Sequence, residues 1–135
     1  MKIVLDTNVL LCGLMSPRGV SGRIVAAWID HRFDVVLSLQ QLAEIGRVLA
    51  QPKIRSRLGW DEAQIEQFIK QLFVRAEVVE LESMPIETRR HPGNAPIMAA
   101  RVTARADLLV TGDFDLLALR SQYPIEIPAE FARRL

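Results

Sequence analysis

Residues 2–8 read KIVLDTN and residues 106–119 read ADLLVTGDFDLLAL, and these two stretches decide the fold. Each is a short apolar run that stops at a cluster of polar residues containing aspartate. Lys2 to Leu5 shows no alternation of apolar and polar residues, so both faces of the strand are expected to be covered. That is the pattern of a strand inside a parallel sheet with helices on both sides. Leu108 to Thr111 repeats it.

Outward from these two, further strand-like runs are Phe33 to Ser38 (FDVVLS), Glu77 to Leu81 (EVVEL) and a weaker one at Ile125 to Ile127. Helical spacing fills the intervals. Val20, Ile24, Ala27 and Trp28 recur at three- and four-residue steps, as do Leu39, Leu42, Gly46 and Leu49 after Ser38, a residue suited to an N-cap. Ile65, Phe68, Ile69 and Leu72 do the same within Asp61–Arg75, and Ile97, Ala100 and Ala104 within Pro96–Arg105. Strands alternating with helices predict an α/β fold with a parallel sheet and right-handed crossovers. Pro17–Gly22, Pro52–Gly59 and Met84–Pro96 read as loops.

The 135 residues fit one domain, with no repeat and no linker, and 50% of them are hydrophobic, enough for a core. No apolar run reaches the ~18 residues of a membrane span or resembles a secretory signal, so a cytoplasmic protein is expected. Cys12 is the single cysteine and reads as a small core residue. The net charge of +1 excludes a strongly basic nucleic-acid binder. Local clustering remains: Lys53, Arg55 and Arg57 form either a rim for phosphates or a solvated basic turn.

The aspartates carry the chemistry. Asp6 follows the first strand, and Asp113 and Asp115 follow the strand Leu108–Thr111. In open parallel sheets ligands gather beyond the carboxyl ends of strands, where the strand order reverses. If the two strands are neighbours, three carboxylates meet there. Their mutual repulsion calls for a cation or shared protons, and oxygen ligands suit Mg2+ or Mn2+. Each aspartate alone has another use, Asp6 in the turn after its strand and Asp113 as cap of a helix starting at Phe114. Spacing does not single out Glu44.

The segments VLDTNVLL, Glu44 within LAEIGRVLAQPK, and ADLLVTGDFDLLAL followed by PAEF resemble the PIN-domain family, in particular its toxin components of bacterial toxin–antitoxin pairs. The resemblance spans nearly the whole chain, 1–135 being one PIN domain, and is most specific in the D-T-N-V-L start and the T-G-D-x-D end. It implies a three-layer α/β/α fold with a central parallel sheet of strand order 3-2-1-4-5. It also implies an acidic cleft that binds Mg2+ or Mn2+ and hydrolyses RNA. Asp6 matches the first acidic position, Glu44 the second, and Asp113 with Asp115 the last pair. Thr7 and Asn8 match polar positions whose side chains would orient Asp6, with Thr111 beside them. An antitoxin protein and a homodimeric state are further implications.

One position departs from the family pattern. Asn94, in His91-Pro92-Gly93-Asn94-Ala95-Pro96, falls where the family carries an aspartate. An amide offers a metal its carbonyl oxygen but no charge. This keeps open a binding module, for antitoxin or RNA, in which catalysis has lapsed. A haloacid-dehalogenase-like phosphatase would need an acid two residues after Asp6, where Asn8 stands. His31 and His91 read as surface loop residues, His91 being a candidate phosphate contact.

Overall fold

The apolar runs form one five-stranded sheet, all parallel, in the order β3-β2-β1-β4-β5. The strands are β1 (Lys2–Leu5), β2 (Asp34–Ser38), β3 (Glu77–Val79), β4 (Leu108–Val110) and β5 (Ile125–Glu126). This is a computed structural model, and it describes residues 1–80, 97, 100, 101 and 104–135. The helices it describes are α1 (Thr7–Met15), α2 (Val20–Ile29), α3 (Leu39–Leu49), α4 (Pro52–Leu58), α5 (Glu62–Arg75), α6 (Phe114–Leu117) and α7 (Pro128–Ala132). Ile97, Ala100, Arg101 and Ala104 are helical as well. No helix among the described residues is long and apolar enough to cross a membrane.

The uninterrupted apolar runs have the reason expected of them. Successive side chains of a strand point to opposite faces, and here both faces are packed. Ile3, Leu5, Val35, Leu37, Leu108 and Val110 face a core completed by Leu10, Ile24, Trp28, Ile45, Leu72 and Phe131. Val4, Val36, Leu109 and Ile125 face the other way, onto Ile97, Ala100, Ala104 and Leu116. A polar residue at any central strand position would be buried on one side or the other.

Several local features differ from or add to the sequence reading. Pro52–Gly59, expected to be a loop, is the helix α4: Pro52 opens it and Gly59 ends it in the left-handed conformation, φ 70°. Proline suits the first helical turn, where its missing N–H is not needed, and glycine suits the left-handed end. Thr7–Met15, directly after Asp6, is also helical. Cys12 is exposed rather than part of the core, because it falls on the outward side of α1, between buried Leu11 and Gly13. On α3 the buried stripe is Gln41, Leu42, Ile45 and Leu49, with Gly46 only half-buried.

Helix α1 approaches α2 closely at Gly13, and the Pro17 backbone of the turn between them packs on Gly22, because neither glycine carries a side chain. A Cβ at position 22 would stand 2.1 Å from the Pro17 carbonyl oxygen, and one at position 13 would stand 2.6 Å from Val25 Cγ2. Gly46, in mid-helix, has open space around it. Gly22→Ala is therefore expected to destabilise the protein by about 1–3 kcal/mol or more, since backbone must move. Gly46→Ala should instead be neutral or stabilising by up to about 1 kcal/mol through helix propensity. Urea unfolding of the two variants beside the parent checks both signs.

Candidate active site at the carboxyl edge of the sheet

The strand order reverses between β1 and β4, which lie side by side with Leu5 opposite Val110. The ladder continues one step beyond the strands, where the Asp6 N–H donates to the Val110 carbonyl at 3.0 Å. Asp6 and Thr111 thus leave the sheet together. The Thr111 hydroxyl donates to Asp6 Oδ2 at 2.5 Å, and Thr111 Oγ1 in turn accepts the Asp113 N–H at 3.0 Å. One buried hydroxyl ties the first aspartate to the backbone that carries the second.

Asp6 also caps α1, its side chain accepting the Asn8 N–H at 3.4 Å. Asp113 caps α6: its Oδ1 accepts the N–H groups of Asp115 at 2.8 Å and Leu116 at 3.3 Å. The capping readings hold for both aspartates. Glu44 stands exposed on α3, and Thr7 donates to its Oε2 at 3.4 Å, a long contact. The division of labour among the polar neighbours differs from expectation. Thr111, not Thr7 or Asn8, supplies the side chain that holds Asp6. Thr7 turns to Glu44, and Asn8 contributes its backbone N–H while the residue itself is exposed.

Gln41 is a residue that spacing alone passes over. It is fully buried, and its amide nitrogen donates to the Leu5 carbonyl at 2.7 Å, immediately before Asp6. Its Oε1 accepts the Ser38 N–H at 3.1 Å, while Ser38 Oγ accepts the Gln41 N–H at 3.0 Å. This is a capping box, and the S-x-x-Q pattern at 38–41 was its sequence signal. Gln41 pins the start of α3, and with it the helix of Glu44, to the end of β1.

Burial pushes the Asp6 carboxyl above its ordinary value. The Thr111 hydroxyl and the Asn8 N–H pull it back, and the charge of Asp113 adds to the rise. None of the groups that shift it is a cation. A buried carboxylate beside a second carboxylate, with no positive partner among the described residues, fits a place for a cation. The available donors are all oxygens, as magnesium or manganese prefers. The carboxylates are not drawn together, however: among the described residues no three His, Cys, Asp or Glu side chains stand close enough to hold a metal. Asn94 and His91 lie outside the described residues.

Lys53, Arg55 and Arg57 are on α4, beyond the far end of α3 from Ser38. Lys53 and Arg57, four residues apart, share a face, and Arg55 points away from it. Two larger hollows lie elsewhere. One of about 520 Å3 opens near the starts of β1, β4 and β5, lined by Met1, Asp107, Pro124 and Arg133. The other, of about 600 Å3, lies by Trp28, Phe33, Lys70 and Val74.

A family model described as a PIN domain matches residues 2–115, from the first strand through Asp115. The chain belongs to the PIN-domain family. It is similar to an uncharacterized protein of Methanocaldococcus jannaschii, 28% identical over 121 residues that cover 90% of this chain and 76% of that protein. Its fold is similar to that of a chain in the crystal structure of VapBC2 from Rickettsia felis bound to a DNA fragment from their promoter. There the TM-score is 0.64 at 14% identity, covering 94% of this chain and 98% of the other. At that identity the likeness speaks for the three-layer PIN fold and its 3-2-1-4-5 sheet.

The raised pKa of Asp6 has a direct consequence for this PIN domain. Its folded-state value lies above the unfolded one, so its contribution to stability is complete below the unfolded value of about 3.9 and is lost as pH rises through the folded value. Asp6→Asn, which has nothing to titrate there, should be more stable than the parent near neutral pH in metal-free buffer. The advantage should shrink as the buffer is made acidic. Urea midpoints for both proteins across the pH range test this, and a difference independent of pH would count against it.

Proposed function

We propose that this PIN domain, taken as the single domain of residues 1–135, is a divalent-metal-dependent endoribonuclease and the toxin of a toxin–antitoxin pair. The observation that carries the reading is the link Asp6–Thr111–Asp113 at the point where strand order reverses. There one hydroxyl holds the Asp6 carboxylate and the backbone N–H of Asp113, and among the described residues neither aspartate has a cationic side chain as partner. The VapBC2 pair, which shares the fold, supports a protein antitoxin as partner. A homodimer, RNA as substrate and a cytoplasmic location complete the proposal.

Asp6, Glu44, Asp113 and Asp115 would hold Mg2+ or Mn2+, with Asn94 lending an amide oxygen. The ion would supply a Lewis acid for the phosphodiester and activate the attacking water. The protein's own part is positioning. Thr111 keeps Asp6 and the Asp113 backbone in register, Gln41 fixes the root of α3, and Thr7 steadies Glu44. Glu44 is exposed on its helix, so its long side chain has freedom to swing toward an ion.

Asn94 removes one negative charge from the expected ligand set, and metal affinity follows ligand charge. The chain as it stands is therefore expected to cleave single-stranded RNA weakly, better with manganese than magnesium, and Asn94→Asp should raise the rate. Asp6→Asn should abolish cleavage. The assay is a magnesium and manganese titration of all three proteins, with calorimetric manganese binding alongside. If neither the parent nor Asn94→Asp binds metal or cleaves, the protein is a PIN-fold binding module whose catalysis has lapsed.

The basic residues of α4 are proposed as phosphate contacts. Replacing Lys53, Arg55 and Arg57 with alanine should weaken RNA binding equally across sequences. The slope of log affinity against log salt should become shallower by about one unit per lost contact. Since Arg55 points away from the other two, a loss of two units rather than three is expected. An unchanged slope reduces α4 to a solvated helix.

A further inference from the structure

Phe114 stands between Asp113 and Asp115 and is 88% exposed, the most exposed of the large hydrophobic residues described. Exposure of a single apolar side chain is ordinary. Its setting is not. The backbone on either side is fixed: behind it the Asp113 N–H is held by Thr111, and ahead of it Asp113 Oδ1 accepts the N–H groups of Asp115 and Leu116. Leu116 is fully buried and anchors the turn in the core. A rigid mount thus presents a solvated aromatic ring one residue, about 3.8 Å between Cα atoms, from each of two candidate metal ligands.

We infer that Phe114 is a stacking platform for a base of single-stranded RNA next to the phosphodiester to be cleaved. This inference rests on the ribonuclease reading above and names the residue through which that site would select single strands. The carboxylates of Asp6, Asp113 and Asp115 repel phosphates wherever the ion they would hold does not intervene, so beyond that ion they offer a strand no electrostatic attraction. A neutral ring attracts a base without that penalty, and every base has a face to stack. A duplex keeps its base faces covered, so the platform selects single strands, ends or loops. The contact carries no charge. Its loss should lower affinity at every salt concentration alike, unlike the loss of Lys53 or Arg57.

The experiment measures binding of a labelled single-stranded oligoribonucleotide, and of its duplex, to the parent, Phe114→Ala, Phe114→Leu and Phe114→Trp. Ca2+ replaces magnesium so that the strand stays intact, and binding is followed across a salt series. Phe114→Ala and Phe114→Leu should each weaken single-strand binding by about tenfold or more, with the salt slope and manganese affinity unchanged. Phe114→Trp should bind as tightly as the parent or more so, and duplex binding should not respond. If the parent binds RNA and Phe114→Ala binds it equally well, the stacking inference fails while the ribonuclease reading stands. If Phe114→Leu retains parental affinity, the ring is a plain apolar contact, as a protein segment such as an antitoxin would use, and the inference fails. A parent that binds no RNA with any metal overturns both.

Discussion

The pairing of β1 with β4 is the constraint on which the carboxyl edge of this protein depends. Two strands separated by about a hundred residues lie parallel and in register, and their backbone ladder runs on to Asp6, beside Thr111. Only because that register is fixed can one hydroxyl bond the Asp6 carboxylate and the Asp113 amide together. A shift by one residue would turn every side chain of the strand to the opposite face. Such a shift would also exchange the packing of Ile3 and Leu5 with that of Val4, two sets that face different cores. The hydrophobic pattern thereby protects the register, and the register assembles the acidic site.

Polar burial around that point is costly and well compensated. Asp6, Thr7, Ser38, Gln41 and Thr111 are buried, and each has a hydrogen bond in the structure. Ser38 and Gln41 satisfy one another's backbone groups while Gln41 reaches across to β1. Leaving such groups unpaired would cost about 1–3 kcal/mol each. Asp6 is the exception in kind, since its hydrogen bonds do not neutralise its charge and its carboxyl is pushed upward all the same. The same network leaves Phe114 rigidly mounted yet outside the core.

Much of this was legible before the structure. Contiguous apolar runs at 2–5, 33–38 and 108–111 announced strands covered on both faces, and helical spacing placed α2, α3 and α5. The readings that changed have local causes. Pro52 and Gly59 were taken as loop punctuation, although the same two residues are suited to the first turn and the end of a short helix. Cys12 followed two leucines in sequence, but on a helix it faces solvent between inward neighbours. Thr7, Asn8 and Thr111 were named together through the resemblance, and of their side chains it is that of Thr111, 105 positions away, that bonds the Asp6 carboxylate.

The sequence by itself determined the sheet, the layers, the family and the identity of the acidic residues, because periodicity and short motifs are local properties of the chain. Tertiary structure decided which hydroxyl serves which carboxylate, that Gln41 links α3 to β1, that the basic residues divide between faces of α4, and that Phe114 is left in solvent. Each of these depends on the relative placement of elements far apart in the chain. Placement of that kind is set by packing across the sheet and by which strands become neighbours, which no local pattern encodes.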